Sequence, residues 1–411
     1  MRLSIITPLT ASGNPYIQAA YDSLKAQTVQ AFEWVVVENH GGRLPKAIKK
    51  DPRVKCYRED EREGIGAYKR LACMLSTGDV IVEFDHDDML SPVALERIAK
   101  AHADGADFAF SDFCEFLDGS WQPNTPYRAD CGWSTYPVEF QGHPLIAHRS
   151  PPATPQNLRY VDFSPNHSRS WTRQAYLEVG GHDPAFLVGD DHDLMVRMYL
   201  AGKRFVHIPE ALYMYRVHAQ NNVKTQNAAI RAATERVYNR SIWALAEKFT
   251  DDGRLAKVDL CGGMDCPAGY TPYDLTLGHD LEKAWPIPDN SVGVLRAHDA
   301  LEHLRDPVMA MNECFRVLAP GGFLMISVPS SDGRGSVQDP THKSYWNANS
   351  IWYYTDKNFA RYIPEFKGRF AVSRTITWHP SDFHREHLIS YVESHLVKLA
   401  ALYQHMGEVR W

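Results

Sequence analysis

The chain of 411 residues has no stretch approaching ~18 consecutive apolar residues, so no membrane span is expected. It also lacks a signal-peptide layout, because the opening MRLSIITPLT runs straight into a strand pattern. Cysteine is sparse: seven residues, odd in number and scattered, which predicts reduced thiols in a cytoplasmic protein. Cys261 and Cys266 stand close together, but no second pair or histidine cluster completes a zinc motif around them. Excess positive charge is missing as well. A formal net charge of −6 argues against a broad polyanion-binding face, so nucleic acid is not an expected partner. Neither an internal repeat nor a low-complexity tract is present. What is there, 44% hydrophobic and 23% charged residues, is ordinary for a globular chain. A prior of roughly 100–200 residues per domain implies two or three of them.

The first quarter alternates strand and helix patterns. LSIITP (3–8), FEWVVVEN (32–39), RVKCYRE (53–59) and DVIVEF (79–84) read as strands, with helices over YIQAAYDSLKAQ and IGAYKRLACMLS between them. Strands separated by helices predict a parallel, doubly wound sheet, in which ligands bind beyond the carboxyl ends of the strands. Ser91 and Pro92 read as the cap and first position of a helix over VALERIAKAHADG. Residues 118–170 read as irregular, and a long helix at about 226–248 leads to the polar break TDDGR (250–254). That break is the expected boundary between domains 1–250 and 251–411. A second α/β pattern follows, and a closing helix at about 385–406 could serve as a homodimer contact.

GDVIVEFDHDDMLSP (78–92) places Asp85, Asp87 and Asp88 directly behind a buried strand. Such acids are either a solvated turn before a helix N-terminus or ligands converging on a hard divalent cation. Mg²⁺ takes one or two protein carboxylates and fills its octahedron with phosphate oxygens and water. A second acidic group, GDDHDL (189–194), opens another helix pattern, which Asp193 could cap.

IITP, FEWVVVEN, GIGAYKRLACMLSTGDVIVEFDHDDMLSP, GGHDPAF, GDDHDLMVRMYLAGKRF and YMYRVH occur in the order and spacing of family 2 glycosyltransferases. Over roughly residues 1–240 the chain resembles that family, which implies the GT-A nucleotide-diphospho-sugar transferase fold. The resemblance implies that Asp85, Asp87 and Asp88 hold Mn²⁺ or Mg²⁺ against the donor diphosphate, with His218 completing the metal shell. It implies a nucleoside pocket at Thr7, Pro8, Glu38 and Asn39, although the family usually has Asp-Asp where Glu38-Asn39 stands here. Lys69 falls where the family commonly has arginine, an implied nucleotide contact shared with Asp85. Asp191 matches the general base that deprotonates the acceptor hydroxyl, and Asp190 replaces the usual glutamate. Trp171 and His182, with Asp190, are the expected acceptor-pocket residues.

Residues 255–345 resemble class I S-adenosylmethionine-dependent methyltransferases through VDLCGG, YDL, HDLEKAWPIPDNSVGVLRAHDALEHLRDP, FRVLAPGGFLMISVP and DPTHK. The resemblance implies a smaller, reduced Rossmann-like fold with S-adenosylmethionine as its ligand. By position Asp259, Cys261 and Gly263 form the first cofactor loop, and Asp274 takes the ribose hydroxyls. Asp280 and Leu281 lie near the adenine, and His298 follows the fourth strand. The usual GxG turn is here Cys261-Gly262-Gly263. The short, proline-bearing stretch to Asp274 leaves no room for a cofactor-side helix of about three turns. His303 and His342 read either as bases for O-methylation or as surface histidines.

Together these readings predict an inverting, metal-dependent hexosyltransferase. Its donor is a UDP-type nucleotide sugar, and its acceptor a glycan, protein or other hydroxyl compound. Methylation by the second domain would be an added activity. The alternatives are a second domain that only docks or dimerises, or a nucleotide-sugar-binding or hydrolysing protein without a true acceptor.

Overall fold

The computed structural model describes residues 1–127, 129 and 132–400, with residues 222 and 223 described by their backbone alone. The chain forms two compact units, Met1–Ser241 and from Ile242 onward. The division falls inside the helix Asn227–Asp252, which runs through the residues where a polar break was expected.

The first unit is built on a mixed sheet of ten strands. In chain order these are β1 (Leu3–Leu9), β2 (Phe32–Glu38), β3 (Val54–Arg58), β4 (Val80–Glu83), β5 (Met89–Leu90), β6 (Phe108–Leu117), β7 (Thr135–Phe140), β8 (His143–His148), β9 (His167–Thr172) and β10 (Phe205–Val217). Their order is β3-β2-β1-β4-β9-β6-β10-β5, with the β7–β8 hairpin attached to β6. β1 through β4 pair in parallel; β1, β2 and β4 have the near-continuous buried runs expected of strands covered on both faces, while β3 lies at the more exposed edge. β9 breaks that pattern. It inserts antiparallel between β4 and β6, so the sheet is mixed rather than wholly parallel.

Residues 118–170, expected to be irregular, supply both this central strand and the hairpin. Their aromatics form a local core: Trp121 stacks between Phe116 (4.6 Å) and His143 (4.3 Å), beside Phe140 and Leu145. Helix Ala94–Ala103 starts after Val93 and has no side-chain cap. Ser91, expected to cap it, instead donates its amide to the Leu212 carbonyl and anchors the turn to β10.

The second unit carries β11 (Ala256–Leu260), β12 (Thr271–Tyr273), β13 (Val292–His298), β14 (Leu318–Pro329), β15 (Phe370–Trp378) and β16 (Tyr391–Lys398), ordered β12-β11-β13-β14-β16-β15. The first four are parallel, and β16 and β15 run antiparallel. The closing segment is therefore strand β16 rather than the expected helix, and residues 401–406 of that expectation lie outside the described residues. Alternation explains the difference: Val392, Ser394, Leu396 and Lys398 face one side of a buried strand, a period of two that a helix cannot satisfy.

Trp171, on β9, is wholly buried between Phe108 (6.1 Å) and Tyr176 (5.7 Å). It was expected to line an acceptor pocket, but it presents no face to a ligand and belongs to the core. Trp171→Ala should cost about 3–5 kcal/mol of stability, read as a lower thermal unfolding midpoint. An unchanged midpoint would contradict the packing described.

Candidate functional site

The acidic turn 85–88 follows β4 at the carboxyl edge of the first sheet, and β10 holds it there. Tyr213 Oη accepts the Asp85 amide (3.2 Å) and donates to Asp88 Oδ2 (2.8 Å). The Arg216 amide donates to Asp88 Oδ1 (2.7 Å), and its Nε donates to the Asp87 carbonyl (2.9 Å). Both oxygens of Asp88 are thus committed. Burial, with Asp87 and Asp85 alongside, raises its carboxyl well above the usual range. Asp87 Oδ2 faces His218 Nε2 at 2.8 Å; burial opposes its ionised form, but that pairing with His218 keeps its pKa below the ordinary value. The Asp85 carboxylate accepts no hydrogen bond from the described residues, and burial raises its pKa.

Asp85, Asp87 and His218 have the donor chemistry of a hard-cation site. Each Asp88 oxygen already accepts one hydrogen bond from β10. Among the described residues, the ligand atoms of these four side chains do not gather as closely as a metal shell requires. Asp87 and His218 are brought together, and Asp85 lies close enough to raise the pKa of Asp88.

Behind this turn lies a buried charge cluster. Glu83, the last residue of β4, takes Lys69 Nζ at 2.6 Å and Arg169 Nη2 at 2.8 Å. Lys69 comes from helix Ile65–Leu75, and its Nζ is also 3.9 Å from Asp190 Oδ2. Arg169 comes from β9, and its Nη1 reaches Asp191 Oδ2 at 2.9 Å. Burial alone would strip the charge from Lys69; Asp190, Glu83, Asp85 and Asp191 outweigh it and raise its pKa. Burial also favours neutral Glu83, but Arg169 and Lys69 prevail and hold it ionised.

Helix Asp190–Leu200 splits its two leading acids. Gly189, at φ +71°, turns the chain into the helix, so the first carboxyl points inward and the second outward. The Asp190 side chain is 2% exposed, and burial raises its pKa. The Asp191 side chain is 22% exposed; its pKa is lowered because Arg169 and then Lys69 overcome the effect of burial. Asp193, expected to cap this helix, instead lies within its first turn and pairs with Arg197 (2.7 Å) and Arg240.

His182 is fully buried behind Asp190, with Nδ1 2.9 Å from Tyr176 Oη, and burial pulls its pKa down to about 3. It was expected in an acceptor pocket and stands instead as a neutral core histidine. Thr7 is buried too: its hydroxyl donates to the Phe84 carbonyl (2.7 Å) and accepts from Trp34 Nε1 (2.9 Å). The Pro8 carbonyl faces His86 Nδ1 at 2.9 Å. Glu38 pairs with Lys49 (2.7 Å) and the Leu44 amide (2.6 Å), and Asn39 donates to the Val37 carbonyl. These residues shape the ends of β1 and β2, and Lys69 serves the acid cluster. Glu83 and Arg169 were missed from the sequence. The available signal was one acid and one base, each in an otherwise apolar or small-residue strand.

In the second unit, the turn after β11 places Cys261 at φ +59° and Gly263 at φ +48°. A Cβ on Gly262 would lie 1.8 Å from Asp259 Oδ2, so a larger residue there would have to displace that carboxylate. Gly263–Asp265 is one 3₁₀ turn, the short connection that the spacing required. Gly263 and Asp274 share this edge: a Cβ on Gly263 would lie 3.7 Å from Asp274 Cγ. Asp259 is buried against Arg296 (2.7 Å), Asp280 pairs with Lys283, and Leu281 belongs to the core. His298 Nε2 is buried and unpartnered at the end of β13, and burial lowers its pKa to about 4.

Residues 4–162 match the family model described as glycosyl transferase family 2, and residues 244–326 match the model described as methyltransferase domain. A glycosyl transferase family 2 domain is therefore followed along the chain by a methyltransferase domain. It is 24% identical over 262 residues to the O-antigen biosynthesis protein RfbC of Myxococcus xanthus, covering 62% of this chain and 18% of that one. It is 39% identical over 88 residues to a probable S-adenosylmethionine-dependent methyltransferase of Mycolicibacterium smegmatis, covering 20% of this chain and 34% of that one. Among solved structures, S. aureus TarS 1-349 in complex with UDP-GlcNAc has a TM-score of 0.44 and 16% identity, over 60% of this chain and 71% of that one.

Removing one member of the buried cluster strands the others. Arg169→Met should cost about 3–5 kcal/mol, because Glu83 then loses one of its two cations. In the Glu83→Gln/Arg169→Met double variant the losses should fall short of additive by about 0.5–3 kcal/mol in denaturant unfolding. Strict additivity would mean that the two side chains do not interact.

Proposed function

We propose that the chain is an inverting, metal-dependent glycosyltransferase of hexosyltransferase type. It moves a sugar from a UDP-type nucleotide-diphospho-sugar to the hydroxyl of a glycan, protein or other acceptor. The observation that carries this reading is the split between Asp190 and Asp191. One acid is buried and raised in pKa, while its neighbour is lowered in pKa and its side chain is 22% exposed.

Asp191 is the general base. Its carboxylate takes the acceptor proton as the hydroxyl oxygen bonds to the anomeric carbon and the bond to the diphosphate oxygen breaks. Attack from the face opposite the leaving group inverts the centre. Arg169 keeps Asp191 ionised and sets its direction, and Asp190 with Lys69 fixes the helix start from below. Mn²⁺ or Mg²⁺, when bound, neutralises charge on the departing diphosphate. Asp85 and Asp87 would hold it, with His218 beside them and phosphate oxygens completing the shell. Asp88 serves as a brace through Tyr213 and Arg216 rather than as a ligand.

For the second unit, the Cys261–Gly263 turn and Asp274 support an S-adenosylmethionine site and methylation of a hydroxyl. The single 3₁₀ turn favours a second reading, a docking module. A helix N-terminus, which would hold the ligand's anionic end, is absent from that turn. Isothermal titration with S-adenosylmethionine separates the two: measurable binding supports the first, and none supports the second.

In the first unit, Asp191→Asn should abolish transfer and leave donor affinity nearly unchanged. Equal loss of both would remove Asp191 from the role of base. Asp87→Ala should instead weaken Mn²⁺-dependent donor binding, by about tenfold or more. Release of free sugar alone, with a full panel of acceptors supplied, would contradict transfer and leave hydrolysis.

A further inference from the structure

The carboxyl edge of the second sheet holds a group of side chains that no step above uses. Glu302 and His303 lie in the single turn Leu301–His303, which follows β13. His342 lies in the loop after β14. The ligand atoms of the three residues all fall within 4.8 Å of one another. Backbone bonds fix this meeting: the amides of Lys343 and Ser344 both donate to the Glu302 carbonyl, at 2.7 and 3.0 Å. The Ser344 hydroxyl donates to the Leu301 carbonyl at 2.9 Å.

Glu302 is 1% exposed, neither of its side-chain oxygens has a close hydrogen-bond partner among the described residues, and burial raises its pKa to about 8. Arg305, the nearest arginine or lysine in sequence, and Lys343 both turn to Glu282, at 3.8 and 2.6 Å. A buried carboxylate without donor or counter-ion is costly. The histidines are already oriented. His342 Nδ1 lies 2.9 Å from the Ser336 carbonyl, which can only accept, so that nitrogen carries the proton and Nε2 keeps its lone pair. His303 Nδ1 faces the Thr341 hydroxyl at 3.2 Å and the Thr341 carbonyl at 3.4 Å; that hydroxyl donates to Asp339 Oδ1 (2.7 Å), which leaves Nδ1 as the donor. Carbonyls behind ring nitrogens in this way are the usual support of metal-bound histidines. Asp339 Oδ2 stands 3.9 Å from His342 Nε2 and adds negative charge.

We propose that Glu302, His303 and His342 bind a divalent transition-metal ion at the edge of the second unit. Two imidazoles and one carboxylate select ions of borderline softness, Zn²⁺ or Co²⁺, over Mg²⁺ and Ca²⁺, which favour oxygen-only shells. Three protein ligands leave a position for water or a substrate oxygen, as in open metal sites. His303 and His342 are then ligands rather than either bases for O-methylation or plain surface histidines.

The test is Co²⁺ titration of the full chain after chelator treatment, followed by visible absorption and metal content, with folding checked by circular dichroism. The wild type should bind Co²⁺ with a ligand-field band. Glu302→Gln and His342→Ala should each weaken that binding by tenfold or more, and Asp87→Ala should leave it intact. A band lost with Asp87→Ala but kept in Glu302→Gln or His342→Ala would place the metal in the first unit and overturn the proposal. So would a folded wild type that takes up no Co²⁺. If Glu302→Gln fails to fold, His342→Ala decides alone.

Discussion

Arg169 bridges Glu83 and Asp191, and the first unit is arranged around that bridge. Carboxylates from β4 and from helix Asp190–Leu200 meet in a region with little water, where like charges cannot stay ionised without cations among them. Lys69 supplies one cation and Arg169 the other. Arg169 can reach both acids because β9 runs antiparallel between β4 and β6, an insertion that interrupts an otherwise parallel half-sheet. The mixed topology is what brings a guanidinium to the edge where the acids collect. With it in place, one acid is left neutral-leaning and buried, and one ionised and open.

The same logic explains why the 85–88 turn is rigid. Three aspartates in four positions would repel one another in a free loop. Here Asp88 is drawn inward by a hydroxyl and an amide of β10, and Asp87 is matched with His218. Asp85 is left as the acid with spare capacity. A turn so fixed presents negative charge at one spot, which suits a cation shared with phosphate oxygens.

Much of this was legible in the sequence because the strands that carry it are buried on both faces and read as apolar runs ending in charge. Both acidic motifs fell where they were read, at a strand end and at a helix start. The rest was hidden for physical reasons. β9 and the β7–β8 hairpin mix aromatic with polar residues, so no period stands out, and only tertiary packing makes them strands. Trp171 and His182 looked like cleft residues because aromatics suit sugars, yet one fills the core and the other backs an acid. Glu83 and Arg169 each appear as single charges, and their pairing spans residues too distant for any local pattern. In the second unit the shortened turn after β11 could be read from proline and glycine spacing alone. The approach of His342 to Glu302 depends on backbone bonds between two loops.

The most direct measurement is an anomalous difference map from crystals grown with Mn²⁺ and UDP. The expected result is one Mn²⁺ peak beside Asp85 and Asp87, bridged to the diphosphate, with the Asp191 carboxylate facing the space beyond the terminal phosphate. A diphosphate bound away from the 85–88 turn, or with Asp191 turned from it, would contradict a shared donor site.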